Sequence, residues 1–255
     1  SSLYFYNMFI IKSNMIYLCK YKLSLLNCIN IKIVLKLQCE QEEYMSKWLD
    51  IYQSQINREG KLKYYNDKIR NKKKLINLIK KYSPNKKIIE LGCGTAIISN
   101  YFASLNYKVA CVDIDENMIN LAKTFVNTSK KSPVFVLDDI REFESDEQYD
   151  VAFSNGVLEH FSNKEINQIL KHCKNFSKYT IIGVPTRFFN QEESMYGDER
   201  YLSKKDWIRI FKKNDAIVME TKYYDYRNFI KQVFQIKKWF RPKPYLVFVL
   251  RFNQH

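Results

Sequence analysis

The 255-residue chain has no C-x-x-C pair among its six cysteines (Cys19, Cys28, Cys39, Cys93, Cys111, Cys173), and its three histidines are unpaired. That spacing excludes the usual zinc sites and suggests no disulfide framework, so a reducing cytoplasm is the expected compartment. Long uncharged runs are missing too. Lys12, Lys20, Lys22, Lys32 and Lys36 interrupt the apolar, aromatic residues 1–44 before the roughly 18 residues that a membrane span requires. No basic head, apolar centre and small-residue cleavage site occur in order, so a secretory leader is not expected either. No internal repeat is visible, which excludes a solenoid.

What is there suits one sizeable α/β domain with appendages: hydrophobic residues make up 46% of the chain, enough for a full core. The formal charge of +15 raises the question of nucleic acid, because Lys and Arg neutralise phosphates. Much of it is local. Residues 45–87 hold thirteen Lys/Arg against three acids, and lysines coating a solvated helix face account for such a run more simply than a nucleic-acid site. Met45 stands just before a polar segment that reads as the start of the domain. Residues 1–44 are therefore expected to be a poorly ordered extension or an over-long gene start, and 45–255 the domain, with helices over 45–85. The runner-up for the first segment is an arm for a partner, since "IKIVLKL" at 31–37 partly alternates.

Residues 61–82 place Leu62, Tyr65, Ile69, Leu75, Ile76, Leu78, Ile79 and Tyr82 at spacings near three and four, which predicts one amphipathic helix with its lysines outward, ended by "SPN". "KKIIEL" predicts a buried strand, "AIISNYFASL" a helix, "KVACVDI" a second strand, and "ENMINLAKTFVN" a helix capped by Asp115. "PVFVLDD", "YDVAFSN" and "YTIIGVP" predict three more strands, with a helix over 162–175 between the last two. This alternation implies parallel strands joined by right-handed crossovers, a doubly wound sheet. After Pro185 comes an irregular polar stretch, then a helix over 204–213. "AIVMETKYY" and "PYLVFVLRF" then predict two strands that pair antiparallel at one sheet edge.

The glycine turn after the first strand carries the chemistry. A dinucleotide fold wants G-x-G-x-x-G, and here the third glycine position holds β-branched Ile97. "ELGCGTA" instead resembles the first motif of the class I S-adenosylmethionine-dependent methyltransferases, an acid, any residue, then G-x-G-x-G, with Ala96 in place of the last glycine. The likeness continues in order. Asp113 in "CVDID" matches the acid that accepts from both ribose hydroxyls; "FVLDDI" matches the adenine-reading segment, with Asp139 accepting from the exocyclic amine and the Ile140 N–H reaching a ring nitrogen. "YDVAFSNGVLEHF" resembles the fourth motif, in which Ser154 and Asn155 close the methionine end.

The resemblance covers about Glu90 to Pro185. It implies a seven-stranded, mostly parallel, Rossmann-like sheet and S-adenosylmethionine as cofactor, with no metal. The cofactor residues it implies are Glu90, Gly92, Cys93, Gly94, Asp113, Ile114, Met118, Asp139, Ile140, Ser154 and Asn155. Bare glycines let backbone approach a ligand, and the following helix offers its positive end to the methionyl carboxylate.

A sulfonium methyl is already activated, so the protein's part reduces to in-line placement, exclusion of water and removal of a proton. His160 in "LEH" is the candidate base, because imidazole titrates near neutrality; the plainer alternative is that it caps or orients the next helix. Acceptor contacts are expected from Glu159 and from a lid over 186–203 that offers Arg187, Tyr196, Glu199 and Arg200. His172 is expected at the surface. The leading activity is methylation of an O or N nucleophile on a small molecule. A nucleic-acid methyltransferase using the basic segments near 61–82 and 231–243, with Trp239 and Phe240 stacking on bases, is the alternative. A non-catalytic cofactor-binding partner is the third.

Overall fold

The computed structural model describes residues 47–127, 130–186, 198–224 and 244–252. The chain divides into two units, residues 1–50 and 51–255. Of the first, residues 47–50 are described and are helical. The expectations for residues 1–44, for Arg187 and Tyr196, and for the basic segment with Trp239 and Phe240 lie outside the described residues.

In the second unit residues 51–59 are helical, followed by α1 (Lys61–Asn71) and α2 (Lys73–Tyr82). Then come β1 (Lys87–Leu91), α3 (Ile97–Ser104), β2 (Lys108–Asp113), α4 (Glu116–Lys123), β3 (Val134–Leu137) and β4 (Tyr149–Asn155). A single 3-10 turn (Leu158–His160) leads to α5 (Asn163–Phe176), β5 (Ser177–Pro185), α6 (Lys204–Lys212), β6 (Ala216–Tyr224) and β7 (Tyr245–Phe252). Asp115 caps α4 by accepting from the Asn117 N–H at 2.8 Å, as the sequence predicts. Ser162 and Glu165 form a reciprocal capping box that starts α5.

The seven strands lie in the order β3-β2-β1-β4-β5-β7-β6, all pairs parallel except those that β7 makes with β5 and β6. This is the doubly wound sheet with an antiparallel strand near one edge. Strand residues alternate between two cores. Ile89, Leu91, Ala110 and Val112 face α5 and α6 with Ile166, Leu170, Trp207 and Phe211. Their neighbours Ile88, Val109, Cys111 and Val151 face α2 and α3 with Leu75, Ile79, Ile98 and Phe102. Both faces of each central strand are thus dry, which is why these strands read as continuous apolar runs. The chain builds outward from β1 through β2 to β3 and then returns to place β4 on the other side of β1. The crevice between the carboxyl ends of β1 and β4 is the point where strand order reverses, the position at which open α/β sheets hold ligands.

One helix prediction is corrected. The segment 61–82 is two helices, broken at Lys72, whose φ of −95° and ψ of 12° leave the helical region. Leu62, counted in the apolar stripe, is 75% exposed, whereas Tyr64 is fully buried. The lysines do not all point outward either: Lys68 lies over the Tyr52 and Tyr64 rings, and Lys72 over those of Tyr224 and Tyr245. His172 is half-buried against Glu144, its Nδ1 3.3 Å from the carboxylate, and not on the open surface. Among the described residues no helix is long and apolar enough to cross a membrane.

Candidate active site

The glycine turn leaves β1 with Gly92 at φ +68°, Gly94 at +51° and Ala96 at +47°. Three left-handed residues in five reverse the chain tightly enough for α3 to begin at once at Ile97. The N–H groups of Gly92 and Cys93 both donate to the Val112 carbonyl, at 2.9 and 3.0 Å, and tie the turn to β2. A β-carbon on Gly92 would stand 2.8 and 2.9 Å from the γ carbons of Val157, so this glycine serves close packing as well as conformation. On Gly94 it would meet only the Tyr52 ring, at 3.8 Å. The start of α3 has no side-chain cap and no acid in its first turn. An uncapped helix start with its N–H groups forward suits an anionic group.

Asp113 closes β2 beside this turn. Its carboxylate accepts from the Gly94 N–H at 2.7 Å and the Asp115 N–H at 3.2 Å. Burial raises its pKa and these amides offset part of the rise. Ile114 and Leu137, at the ends of β2 and β3, are 40% and 55% exposed, apolar side chains left uncovered at the carboxyl edge of the sheet. Met118 and Ile140 are buried nearby in sequence. Cys93 is buried beside Cys111, and its thiol is held well above the usual range by that contact and by burial.

Asp139, expected to accept from the adenine amine, is paired with a neighbouring side chain. Arg141, two residues on, reaches back so that its Nε and backbone N–H reach Asp139 Oδ1 at 3.0 and 2.9 Å, while Nε and Nη2 also contact Oδ2. Burial works against ionisation here, but the guanidinium wins and holds the carboxyl below its usual range. Arg141 is itself anchored by Glu165 of α5 at 2.9 Å. With its lone pairs so addressed, Asp139 has little capacity left for an adenine amine.

Four ionisable groups converge where β1 and β4 end. Glu90, 6% exposed, accepts from the Ser99 hydroxyl at 2.5 Å, and burial pushes its pKa up to about 8. Glu159, on the 3-10 turn after β4, is 3% exposed; among the described residues its Oε2 has no hydrogen-bond partner, and burial pushes the carboxyl up to about 8. The Lys72 Nζ comes within 3.4 Å of the Tyr224 hydroxyl, and burial, with Lys68 adding and Glu159 and Glu90 opposing, lowers it to about 7. Tyr224 in turn donates to Asn155 Oδ1 at 2.8 Å. The Tyr52 phenol is pushed far up by burial and by Tyr64, Asp113, Glu159 and Glu90 around it. Ser154 is buried, and Asn155 lies against Gly183, where a β-carbon would come 2.6 Å from its Oδ1.

His160 does not cap α5, since Ser162 does. Its Nδ1 lies 2.7 Å from Asp198 Oδ1, which fixes the ring. His160, Asp198 and Glu199 offer ligand atoms all within 4.8 Å of one another. This group was not foreseeable from the neighbourhood of Glu159 in the sequence, because the two acids arrive from a loop 38 residues beyond His160. Arg200 anchors that loop: its N–H donates to the Glu159 carbonyl at 3.0 Å, and its guanidinium to the Phe161 carbonyl and to Asn163 Oδ1 at 2.6 Å.

Sequence reasoning missed Tyr52, Lys72, Asp198 and Tyr224. Only Lys72 left a signal, since it stands three after Ile69 and four before Ile76, on the apolar stripe itself.

A glycine turn at a strand-order reversal, with an acid closing β2 beside it, stands at the end of the sheet where open α/β folds hold ligands. Residues 88–179 match the family model of a methyltransferase domain. The malonyl-[acyl-carrier protein] O-methyltransferase of Bacillus anthracis is 32% identical over 114 residues, 43% of this chain and 40% of that protein. The ubiquinone biosynthesis O-methyltransferase of Rickettsia akari is 30% identical over 34% of this chain and 36% of its own length. The chain thus spans well under half the length of these curated relatives. The magnesium protoporphyrin IX methyltransferase of Synechocystis PCC 6803, solved with bound S-adenosylhomocysteine, superposes with a TM-score of 0.57 at 14% identity, over 75% of this chain and 84% of that one. At that identity the likeness is one of fold.

Proposed function

We propose that the protein transfers a methyl group from S-adenosylmethionine to an oxygen or nitrogen of a small molecule. The observation that carries this reading is Asp113, a carboxylate at the end of β2 held by the Gly94 and Asp115 N–H groups beside a side-chain-free turn. A two-oxygen acceptor there suits a pair of ribose hydroxyls. The uncapped start of α3 suits the methionyl carboxylate, with Ser154 and Asn155 closing that end. The Ile140 N–H and the apolar Ile114 and Leu137 suit adenine, with Arg141 rather than a ligand occupying Asp139.

When bound, S-adenosylmethionine supplies an activated methyl. The protein's part is then to hold the acceptor in line, keep water out and take its proton. His160 fits the role of proton acceptor, because Asp198 accepts from Nδ1–H and so selects the tautomer in which Nε2 carries the basic lone pair. Glu159, Glu199 and Arg200 are assigned to the acceptor side, and residues 186–203 to a lid. We assign residues 45–255 to this one catalytic domain.

The basic segment gives little support to nucleic acid as the acceptor. Lys63 and Arg70 pair with Asp67, Lys74 with the Tyr223 carbonyl, Lys80 with the Tyr101 hydroxyl and Lys81 with Glu220. Three of these five cations meet a carboxylate and two a neutral oxygen.

Calorimetry with S-adenosylmethionine, followed by a metabolite screen for methyl uptake, tests the reading. Asp113→Ala is expected to weaken binding about 100-fold, the loss of two hydrogen bonds to a charged acceptor. Unchanged affinity in that variant would overturn it.

A further inference from the structure

Asn155, the last residue of β4, is held at one end of its carboxamide. Tyr224 donates to its Oδ1 at 2.8 Å. The same oxygen fills the space beside Gly183, its register partner in β5, where a β-carbon would come within 2.6 Å of it. Gly183 has no positive φ, so its missing side chain serves the room it leaves for Oδ1. The direction of the Tyr224 bond is fixed from behind. The Lys72 ammonium, which can only donate, stands 3.4 Å from the phenol oxygen and over the Tyr224 ring at 5.7 Å. The phenol thus accepts from Lys72 and gives its own hydrogen to Asn155. A carboxamide held this way has one orientation, because exchanging oxygen and NH2 would give up the bond from Tyr224.

Both contacts to Oδ1 come from the β5 side of β4, since β5, β7 and β6 follow β4 in the sheet, whereas β1 and the crevice lie on its other side. Asn155 is half-buried, and among the described residues its Nδ2 makes no hydrogen bond. We propose that Tyr224, backed by Lys72, is a positioning residue for Asn155 and presents the Asn155 NH2 as a donor to the carboxylate of the cofactor's amino-acid tail. The inference rests on the methyl-transfer reading, which puts the methionyl end of S-adenosylmethionine beside Ser154 and Asn155.

That tail carries an ammonium and a carboxylate, and a fixed NH2 group tells them apart. It pairs with the carboxylate and offers nothing to the ammonium, because both are donors. The carboxylate is then addressed from both walls of the crevice, by the uncapped start of α3 beyond β1 and by Asn155 at the end of β4. Strand β6 takes part in cofactor recognition through a residue 69 positions from the one it orients.

The test is calorimetry of S-adenosylhomocysteine and methylthioadenosine with the whole protein. The two share the adenosine and the thioether sulfur, but the second lacks the amino-acid tail. Tyr224→Phe keeps the ring that stacks on Tyr245 at 5.2 Å and removes the hydroxyl. It is expected to weaken S-adenosylhomocysteine about five- to tenfold and to leave methylthioadenosine within about twofold. Asn155→Asp sets a carboxylate against a carboxylate and should weaken the first ligand about tenfold or more, with the second again within about twofold. In an Asn155→Ala background, adding Tyr224→Phe should cost less than about twofold, because the hydroxyl acts through the amide. A loss shared equally by the two ligands, or one that persists undiminished in the Asn155→Ala background, makes Tyr224 structural support alone and overturns the proposal while leaving methyl transfer intact. Unchanged S-adenosylhomocysteine affinity in Tyr224→Phe or in Asn155→Asp overturns it likewise. Binding of neither ligand by the parent protein overturns both readings.

Discussion

Replacing Gly92 with alanine puts two separable penalties on one atom. The residue sits at φ +68°, where a β-carbon costs about 1–2 kcal/mol. The same β-carbon would stand 2.8 and 2.9 Å from the Val157 γ carbons, contacts that force repacking at about 1–3 kcal/mol. The stiffer unfolded chain returns about 0.4–1 kcal/mol. The expected loss is thus about 2–4 kcal/mol, read as a fall in Tm of about 5–15 °C for a domain of about 200 residues.

Gly94→Ala is the control. It shares the positive φ, but its β-carbon meets only the Tyr52 ring at an ordinary 3.8 Å, so about 1 kcal/mol is expected. Adding Val157→Ala to Gly92→Ala should recover the overlap part alone, a favourable coupling of about 1–3 kcal/mol in a double-mutant cycle. Denaturant unfolding of the four proteins measures it. Equal losses in Gly92→Ala and Gly94→Ala, or no coupling with Val157, would refute the argument that Gly92 is needed for its neighbour as well as its backbone.

Ala96 already carries a β-carbon at φ +47°. Ala96→Gly should relieve that strain against a more flexible unfolded chain, a net gain of about 0.5 kcal/mol in urea unfolding with cofactor affinity unchanged. Glu159 keeps its proton in the folded protein up to about pH 8, while the unfolded chain loses it at the ordinary carboxyl value. Its contribution to stability is therefore present in full below about pH 4.5 and is lost as pH rises through about 8, so Glu159→Gln should gain on the parent by at most about 4 kcal/mol between pH 5 and 8.5; parallel stability curves would contradict the buried, protonated state. Arg200→Ala removes the anchor on the Phe161 carbonyl and Asn163. It should raise KM for the acceptor about tenfold while leaving cofactor affinity alone, and steady-state kinetics on the identified acceptor reads the split.

The strands, their order of appearance and the turn between β1 and α3 were legible because each depends on neighbours in sequence. Buried parallel strands must be apolar on both faces, a helix start must be capped, and a tight reversal must have residues that tolerate positive φ. "YDVAFSN" and "AIVMETKYY" coincide with β4 and β6 residue for residue. Positions fixed by distant partners were not legible. Lys72 stands on the apolar stripe in the sequence, but only β6 and β7 show what it meets, the rings of Tyr224 and Tyr245, and Asp139 looks like an open acceptor until Arg141, braced by Glu165 of α5, folds back on it. His160 gains its orienting acid from 38 residues away. Local chemistry thus wrote the scaffold and the glycine turn, whereas the ionisation of the site was decided by packing, since the charge a group carries depends on what water the rest of the chain removes from it.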